Sequence, residues 1–315
     1  MGFYVRHLKS EQAKKFAPII EKAFSNPTTD GTTTVSLQSK KPSACQDAIS
    51  AAYAVLRDNP QIFYYNISLS CTSIGSQLTL KADLLYSIDI INRLKTKMDD
   101  EIQRIMSTII NKESLWEREL AIFEYMHNSI RYLDDGTSEE GNIVGPLLLK
   151  RGVCEGISKM FAVLCHKAGI PCILVFGGNH MWNIVTVNGV SSHVDVTYGI
   201  GQPPCDYSYF NIPDDELFHD HNKDIDCIPP CISDKTDYYH MRGTYFQNED
   251  ELRRYLAKSF LSGKKTIHAK LENGDPERVL KRVSYLSPQR ITYTHNKAMK
   301  TITIQKQGGF TLWKD

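Results

Sequence analysis

The chain has 315 residues, of which 41% are hydrophobic and 23% charged, with a formal net charge of +1. It is long enough to bury a substantial core and to divide into one to three domains. The near-zero charge gives no bulk electrostatic ground for a nucleic-acid or membrane partner, and no segment approaches the ~18 apolar residues of a transmembrane helix.

The opening stretch MGFYVRHLKSEQAKKF lacks the apolar run of a signal peptide, and Arg6 stands where a myristoylation signal needs Ser or Thr. The eight cysteines follow no disulfide framework. Reduced thiols and a cytoplasmic setting are therefore expected.

Residues 1–60 read as mostly helical, broken by the Thr/Ser-rich stretch NPTTDGTTTVSLQS. QIFYYNISLS and SQLTLKADLLY are rich in β-branched and aromatic residues and predict two strands joined around Thr72–Gly75. Residues 87–131 give two helices with apolar residues spaced by three and four, the second opened by a capping box from Ser114 to Glu117. A polar loop then leads to Cys154. From there Ile157, Met160, Phe161, Leu164 and Ala168 mark one face of a helix, which Gly169 and Pro171 end. CILVF predicts a buried strand. HMWNIVTV and VSSHVDVTY, joined by Asn188-Gly189, predict a hairpin. Residues 200–247 lack periodicity and read as a long ordered loop or a linker, expected to be ordered and to flank the Cys154 end of the core. After it come a helix, a strand, a helix and two strands, a small α+β module. The expected division is 1–86, an N-terminal α/β region; 87–247, the core; and 248–315, the C-terminal module.

Cys154 is the residue of interest because it opens a helix. A helix N-terminus carries about half a positive charge, which favours thiolate over thiol. A nucleophilic thiol also needs a base, and the base needs an orienting group. With a two-residue turn at Asn188-Gly189, paired positions across the hairpin sum to 377. His180, Trp182 and Ile184 then share a face with Thr197, Asp195 and His193, and His180 and Asp195 are diagonal neighbours. A slip of one residue would separate them. His193, on the same face, is a possible competitor for Asp195. The Cys154 backbone N–H is a candidate oxyanion donor, and Asn142 in the preceding loop a second.

Residues 151–199 resemble the core of the transglutaminase-like superfamily. The resemblance is carried by Gly152-Val153-Cys154-Glu155-Gly156, Gly169-Ile170-Pro171, His180-Met181-Trp182-Asn183 and Val194-Asp195-Val196-Thr197-Tyr198. It implies an α+β, papain-like fold with Cys154 as nucleophile, His180 as base and Asp195 as orienter. Trp182 and Tyr198 join Asn142 as candidates for oxyanion or substrate contacts. The segment after it looks like the continuation seen in bacterial members. Ile157 and Met181 depart from the residues common at those places, an aromatic and Ala, which bears on substrate preference.

The expectation is a cysteine enzyme that forms a thioester with a peptide or carboxamide substrate, with hydrolysis favoured over transamidation. The alternative is a silent scaffold of the same fold that binds protein or peptide. No cofactor or metal is expected. His219, His221, Cys227 and Cys231 are zinc-ligand types, but their spacing fits no standard finger.

Overall fold

The computed structural model describes residues 2–137, 139–198, 200, 203–222 and 228–310, the last three by backbone alone. The chain starts with α1 (Phe3–Arg6), α2 (Glu11–Ser25), β1 (Thr32–Gln38), α3 (Ala44–Asp58), β2 (Tyr65–Ile74) and β3 (Gln77–Leu84). The three strands pair antiparallel in the order β1-β3-β2. The Thr/Ser-rich break between helices is thus itself a strand. Val35 and Leu37 point inward while Ser36 and Gln38 point to solvent, the period of two of a half-buried strand. Its β-branched threonines favour extended backbone over helix.

Two helices follow, α4 (Ile88–Ile109) and α5 (Leu115–Ser129). The Ser114 side chain accepts the Glu117 backbone N–H at 3.1 Å, half of the expected capping box. A two-residue strand β4 (Arg131–Tyr132), a π-helical turn (Gly145–Leu149) and β5 (Arg151–Gly152) lead into α6 (Cys154–Lys167). β4 and β5 pair in parallel, which lays Tyr132 beside Gly152, two residues before Cys154.

The strands β6 (Cys172–Gly177), β7 (His180–Val187), β8 (Val190–Val194) and β9 (Phe210–Ile212) form an antiparallel sheet in chain order. Helix α6 packs on it with Ile157, Met160, Phe161, Leu164 and Ala168 all at most 1% exposed. One apolar cluster joins these residues to α2, α3, α4 and α5. A second, on the other face of the sheet, holds Val175, Trp182, Ile184, Tyr209, Leu217 and Met299 among others.

The aperiodic stretch after residue 200 contains β9, α7 (Asp214–Leu217), α8 (Tyr238–Met241) and β10 (Tyr245–Asn248). Then come α9 (Glu249–Phe260), β11 (Thr266–Asn273), α10 (Pro276–Val283), β12 (Gln289–Asn296) and β13 (Thr301–Phe310). Their sheet has the order β10-β11-β13-β12, with β10 parallel to β11 and a core of its own. Lys270 on β11 reaches out of this module. Its Nζ lies 2.6 Å from both Glu216 carboxylate oxygens and 3.2 Å from Asp237 Oδ2. The fold is α+β, with the Cys154 helix laid on an antiparallel sheet.

Candidate active site

Cys154 is the first residue of α6, and its N-cap, Val153, offers no side-chain acceptor. The first-turn N–H groups are therefore left to other partners. Gly156 is what lets this turn sit where it does. A Cβ there would lie 2.2 Å from the Glu140 carbonyl oxygen and 2.7 Å from that of Asn142. Only a residue without a side chain admits the 140–142 loop against the helix start.

The hairpin has the register expected of a two-residue turn. Val187 pairs with Val190 and Ile184 with His193, and Asn188 and Gly189 have φ of 53° and 78°. Strand β8 ends at Val194, so Asp195 falls just past the ladder, where its N–H bonds to the Tyr209 carbonyl at 3.0 Å. Its carboxylate is wholly buried, with Oδ2 2.5 Å from His180 Nε2 and Oδ1 accepting the Thr197 N–H at 2.8 Å. The His180 ring also lies close enough to Cys154 for each to shift the other's titration. With Nε2 held by Asp195, Nδ1 is the ring nitrogen left for the thiol.

These contacts set the electrostatics. Burial pushes the Cys154 thiol up, but the His180 ring and the Met181 and Glu155 N–H groups outweigh it and lower its pKa. Burial works against the His180 imidazolium, but hydrogen bonds to Asp195 and Cys154 raise it from 6.5 to about 10. Burial would raise Asp195, yet its bonds from His180 and His221 hold it below the usual carboxylate range. The balance favours a thiolate–imidazolium pair beside a buried carboxylate.

Helix and strand are tied together one turn further on. Ser158 Oγ donates to the Met181 carbonyl at 2.9 Å, and Asn183 Nδ2 donates to the Ser158 carbonyl at 3.1 Å. Both side chains are buried. The sequence signal was there, a single amide inside the apolar strand HMWNIVTV, since a buried amide must find partners.

His193 does not compete for Asp195. Its Nδ1 accepts the Trp182 indole N–H at 3.1 Å, which leaves Nε2 to donate to Asp214 Oδ1 at 2.8 Å. The competitor is His221, whose Nε2 lies 3.0 Å from Asp195 Oδ2. The zinc-ligand types are not gathered as one set: His221 meets Asp195 and Asp220, Cys231 lies beside Asp214 and His193, and His219 is exposed. Cys227 lies outside the described residues. The ligand-type atoms of His180, Asp195 and His221 converge within 4.8 Å. Their contacts of 2.5 and 3.0 Å are hydrogen-bond lengths, whereas ligands ~2.0–2.2 Å from a tetrahedral zinc stand ~3.3 Å or more apart.

Trp182 is fully buried and stacks on His180, with ring centroids 5.9 Å apart. Tyr198 is exposed and meets the same ring edge-on at 5.9 Å. Asn142 is buried. Its Oδ1 accepts the Val144 N–H at 2.8 Å and its Nδ2 lies 3.4 Å from the Tyr86 hydroxyl. Tyr132 was not singled out in the sequence. Its hydroxyl titrates above the usual tyrosine value, raised by desolvation and by the nearby Cys154, Asp134 and Asp195 charges. A cleft of about 490 Å³ opens beside the first turn of α6, between Phe63 of the N-terminal region, Asn142, Glu155, Lys159, Phe176 and Met181.

Residues 103–201 match the model of the transglutaminase-like superfamily. The chain carries a transglutaminase-like core. The match runs from the last turns of α4 through α5, α6 and the β6–β8 strands, so it includes Cys154, His180 and Asp195 and ends before His221. Among solved structures the chain is similar to a TGase at 15% identity, over 48% of this chain and 49% of that one, with a TM-score of 0.33. It is also similar to a candidate cysteine protease from Cytophaga hutchinsonii at 16% identity, over 43% and 63% of the two chains, with a TM-score of 0.29. A candidate protease from Parabacteroides distasonis aligns at 14% identity, over 40% and 35%, with a TM-score of 0.26. The chain thus spans about a third to under two thirds of these proteins' lengths. No match was found among curated proteins. No helix among the described residues is long and apolar enough to cross a membrane.

Proposed function

We propose that the transglutaminase-like core is a cysteine hydrolase acting on peptide or carboxamide bonds of a protein or peptide substrate. The observation that carries this reading is the 2.5 Å contact of His180 with the buried Asp195 carboxylate, with Cys154 at the start of α6 close enough to His180 for the two to shift each other's titration. Cys154 Sγ attacks the carbonyl carbon as a thiolate. His180 gives its proton to the leaving nitrogen as the C–N bond breaks, and a thioester remains. His180 then takes a proton from water, whose oxygen attacks the thioester and releases a carboxylate and the thiol. Asp195 keeps the imidazole oriented and stabilises its charged form.

The Cys154 N–H, at the start of α6, serves as one oxyanion donor. Asn142 and Tyr198 serve as substrate or oxyanion contacts, whereas the buried Trp182, its N–H committed to His193, backs the His180 ring instead. Hydrolysis is favoured over transfer to an amine because His180 is partly exposed at 27%, so water reaches the base.

The test is turnover of fluorogenic peptide amides with mass-spectrometric detection of a Cys154 acyl adduct, with and without hydroxylamine as competing nucleophile. Release of amine that is lost in Cys154→Ala, with free carboxylate as main product, is expected. A wild-type protein that neither turns over amides nor alkylates faster at Cys154 than at its other thiols is the silent scaffold instead.

A further inference from the structure

We infer that His221 is a positioning residue of this same site, gripping Asp195 beside His180 and anchoring it to Asp220 and Tyr209. The inference rests on the reading in which His180 is the base.

Three observations carry it. First, His221 is built in: its side chain is 1% exposed, and its ring lies 4.9 Å from that of Trp182, 5.2 Å from Tyr198 and 5.7 Å from Tyr209. Second, both ring nitrogens are committed. Nε2 lies 3.0 Å from Asp195 Oδ2 and Nδ1 2.6 Å from Asp220 Oδ1, while the Tyr209 hydroxyl donates to the other Asp220 oxygen. Third, Asp195 Oδ2 is the same oxygen that binds His180 Nε2. One carboxylate oxygen thus serves two imidazoles.

The proton count gives this arrangement a consequence. A neutral imidazole has one N–H, and ionised carboxylates only accept. His221 faces a carboxylate at each nitrogen, and its bond to Asp195 Oδ2 helps hold that carboxylate ionised. Part of the charge of Asp195 is thereby balanced on the His221 side. The titratable groups facing His221 are Asp195, Asp220, His180, His193, Tyr198 and Tyr209. With His221 gone, the full charge of Asp195 acts on the thiol and His180. It then repels the Cys154 thiolate more and holds the His180 proton more tightly, so both groups titrate at higher pH. Asp195 also loses one of the donors that fix its plane, and with it the angle at which it holds His180.

The experiment uses the full chain with His221→Leu, which removes both bonds, and His221→Gln, which keeps a donor toward Asp195. Iodoacetamide labelling of Cys154 is followed by mass spectrometry from pH 4 to 11, alongside kcat and KM for a peptide amide. In His221→Leu the labelling inflection is expected to rise by about half a pH unit or more. Its kcat is expected to fall about tenfold with KM little changed, well short of the ~10⁴-fold loss on disabling a serine-triad carboxylate. His221→Gln should recover part of both. A folded His221→Leu with the wild-type inflection and kcat overturns the inference, as do Leu and Gln variants equally slowed at an unmoved inflection, which mark plain packing. If the Leu variant does not fold, the Gln variant decides by whether its inflection moves. A wild-type Cys154 that titrates like an ordinary thiol removes the triad reading and this inference together. A depressed wild-type inflection that neither variant moves removes this inference alone.

Discussion

Asn183 donates its side-chain amide to the main-chain carbonyl of Ser158 at 3.1 Å, and so fastens the strand that begins with His180 to the helix that begins with Cys154. The same amide lies 3.4 Å from the Ile173 carbonyl, so one side chain spans the helix and two strands. Asn183→Ala would leave these buried carbonyls without their donor and open a small void. A loss of about 2–4 kcal/mol in denaturant unfolding is expected. Cys154 labelling should slow in the folded variant, because the thiol and His180 no longer share a fixed frame.

The pH dependence of Cys154 follows from its pair with His180. A lowered thiol and a raised imidazole leave the ion pair dominant between the two titrations. Alkylation should stay fast well below ~8.5, the ordinary thiol value, and turnover should fall on the acid side as the thiolate takes up its proton and on the alkaline side toward about 10, where His180 loses its own. In His180→Ala the labelling profile should return to that of an ordinary cysteine. Labelling that still persists at acid pH in that variant would assign the depression to the helix terminus alone.

Asp195→Asn tests the orienter. Three N–H groups, from His180, His221 and Thr197, point at this carboxylate, and an amide must turn its own NH₂ toward at least one of them. The fold should survive with a loss of about 1–3 kcal/mol. Turnover should drop about 10²-fold, less than in a serine triad because a cysteine needs less help to ionise. An unfolded variant together with undiminished labelling in His180→Ala would make Asp195 a purely structural residue.

Away from the site, Glu119 on α5 is fully buried, with Oε2 accepting from Asn211 at 2.9 Å and Oε1 unpartnered. Burial raises its carboxyl from 4.5 to about 8, against the pull of Asn211. The folded protein then keeps a proton that the unfolded chain gives up, so stability falls as pH rises from 4.5 toward 8. Glu119→Gln keeps the acceptor and cannot ionise. It should match wild type near pH 4.5 and exceed it by about 2–4 kcal/mol near pH 8 in urea melts. An advantage equal at both pH values would mean that the carboxyl does not titrate with unfolding.

Lys270 is 6% exposed between Glu216 and Asp237. Lys270→Met strands two carboxylates, one of them buried, and should cost about 3–5 kcal/mol in the same urea melts. A loss under ~1 kcal/mol would place the pair in the class of screened surface bridges.

The parts of this molecule that could be read from sequence are those governed by short-range rules. The α6 face repeats at three and four, and the Asn188-Gly189 turn requires positive φ at both residues, which fixes the register that brings His180 and Asp195 to one end of the hairpin. His221 could not be read this way. It comes from an aperiodic segment, and only the path of that segment over the sheet carries it to Asp195, 26 residues back. His193 shows the opposite failure, since periodicity put it on the Asp195 face but could not foresee the Trp182 indole N–H that fixes its tautomer. Strand β1 was hidden by a composition typical of loops. β10 was hidden by its exposed Gln247 and Asn248, which give no alternation to detect.

The reach of Lys270 across to Glu216 gives the order of synthesis a role. Glu216 stands five residues before His221, and Met299, from the turn between β12 and β13, packs into the cluster behind Trp182. A nascent chain that has emerged only to residue 247 already contains Cys154, His180, Asp195 and His221. It still lacks the lysine that neutralises Glu216 and the methionine that backs the indole against which His180 stacks. On the ribosome, the cluster behind Trp182 is finished only when β11 and the turn before β13 have left the exit tunnel.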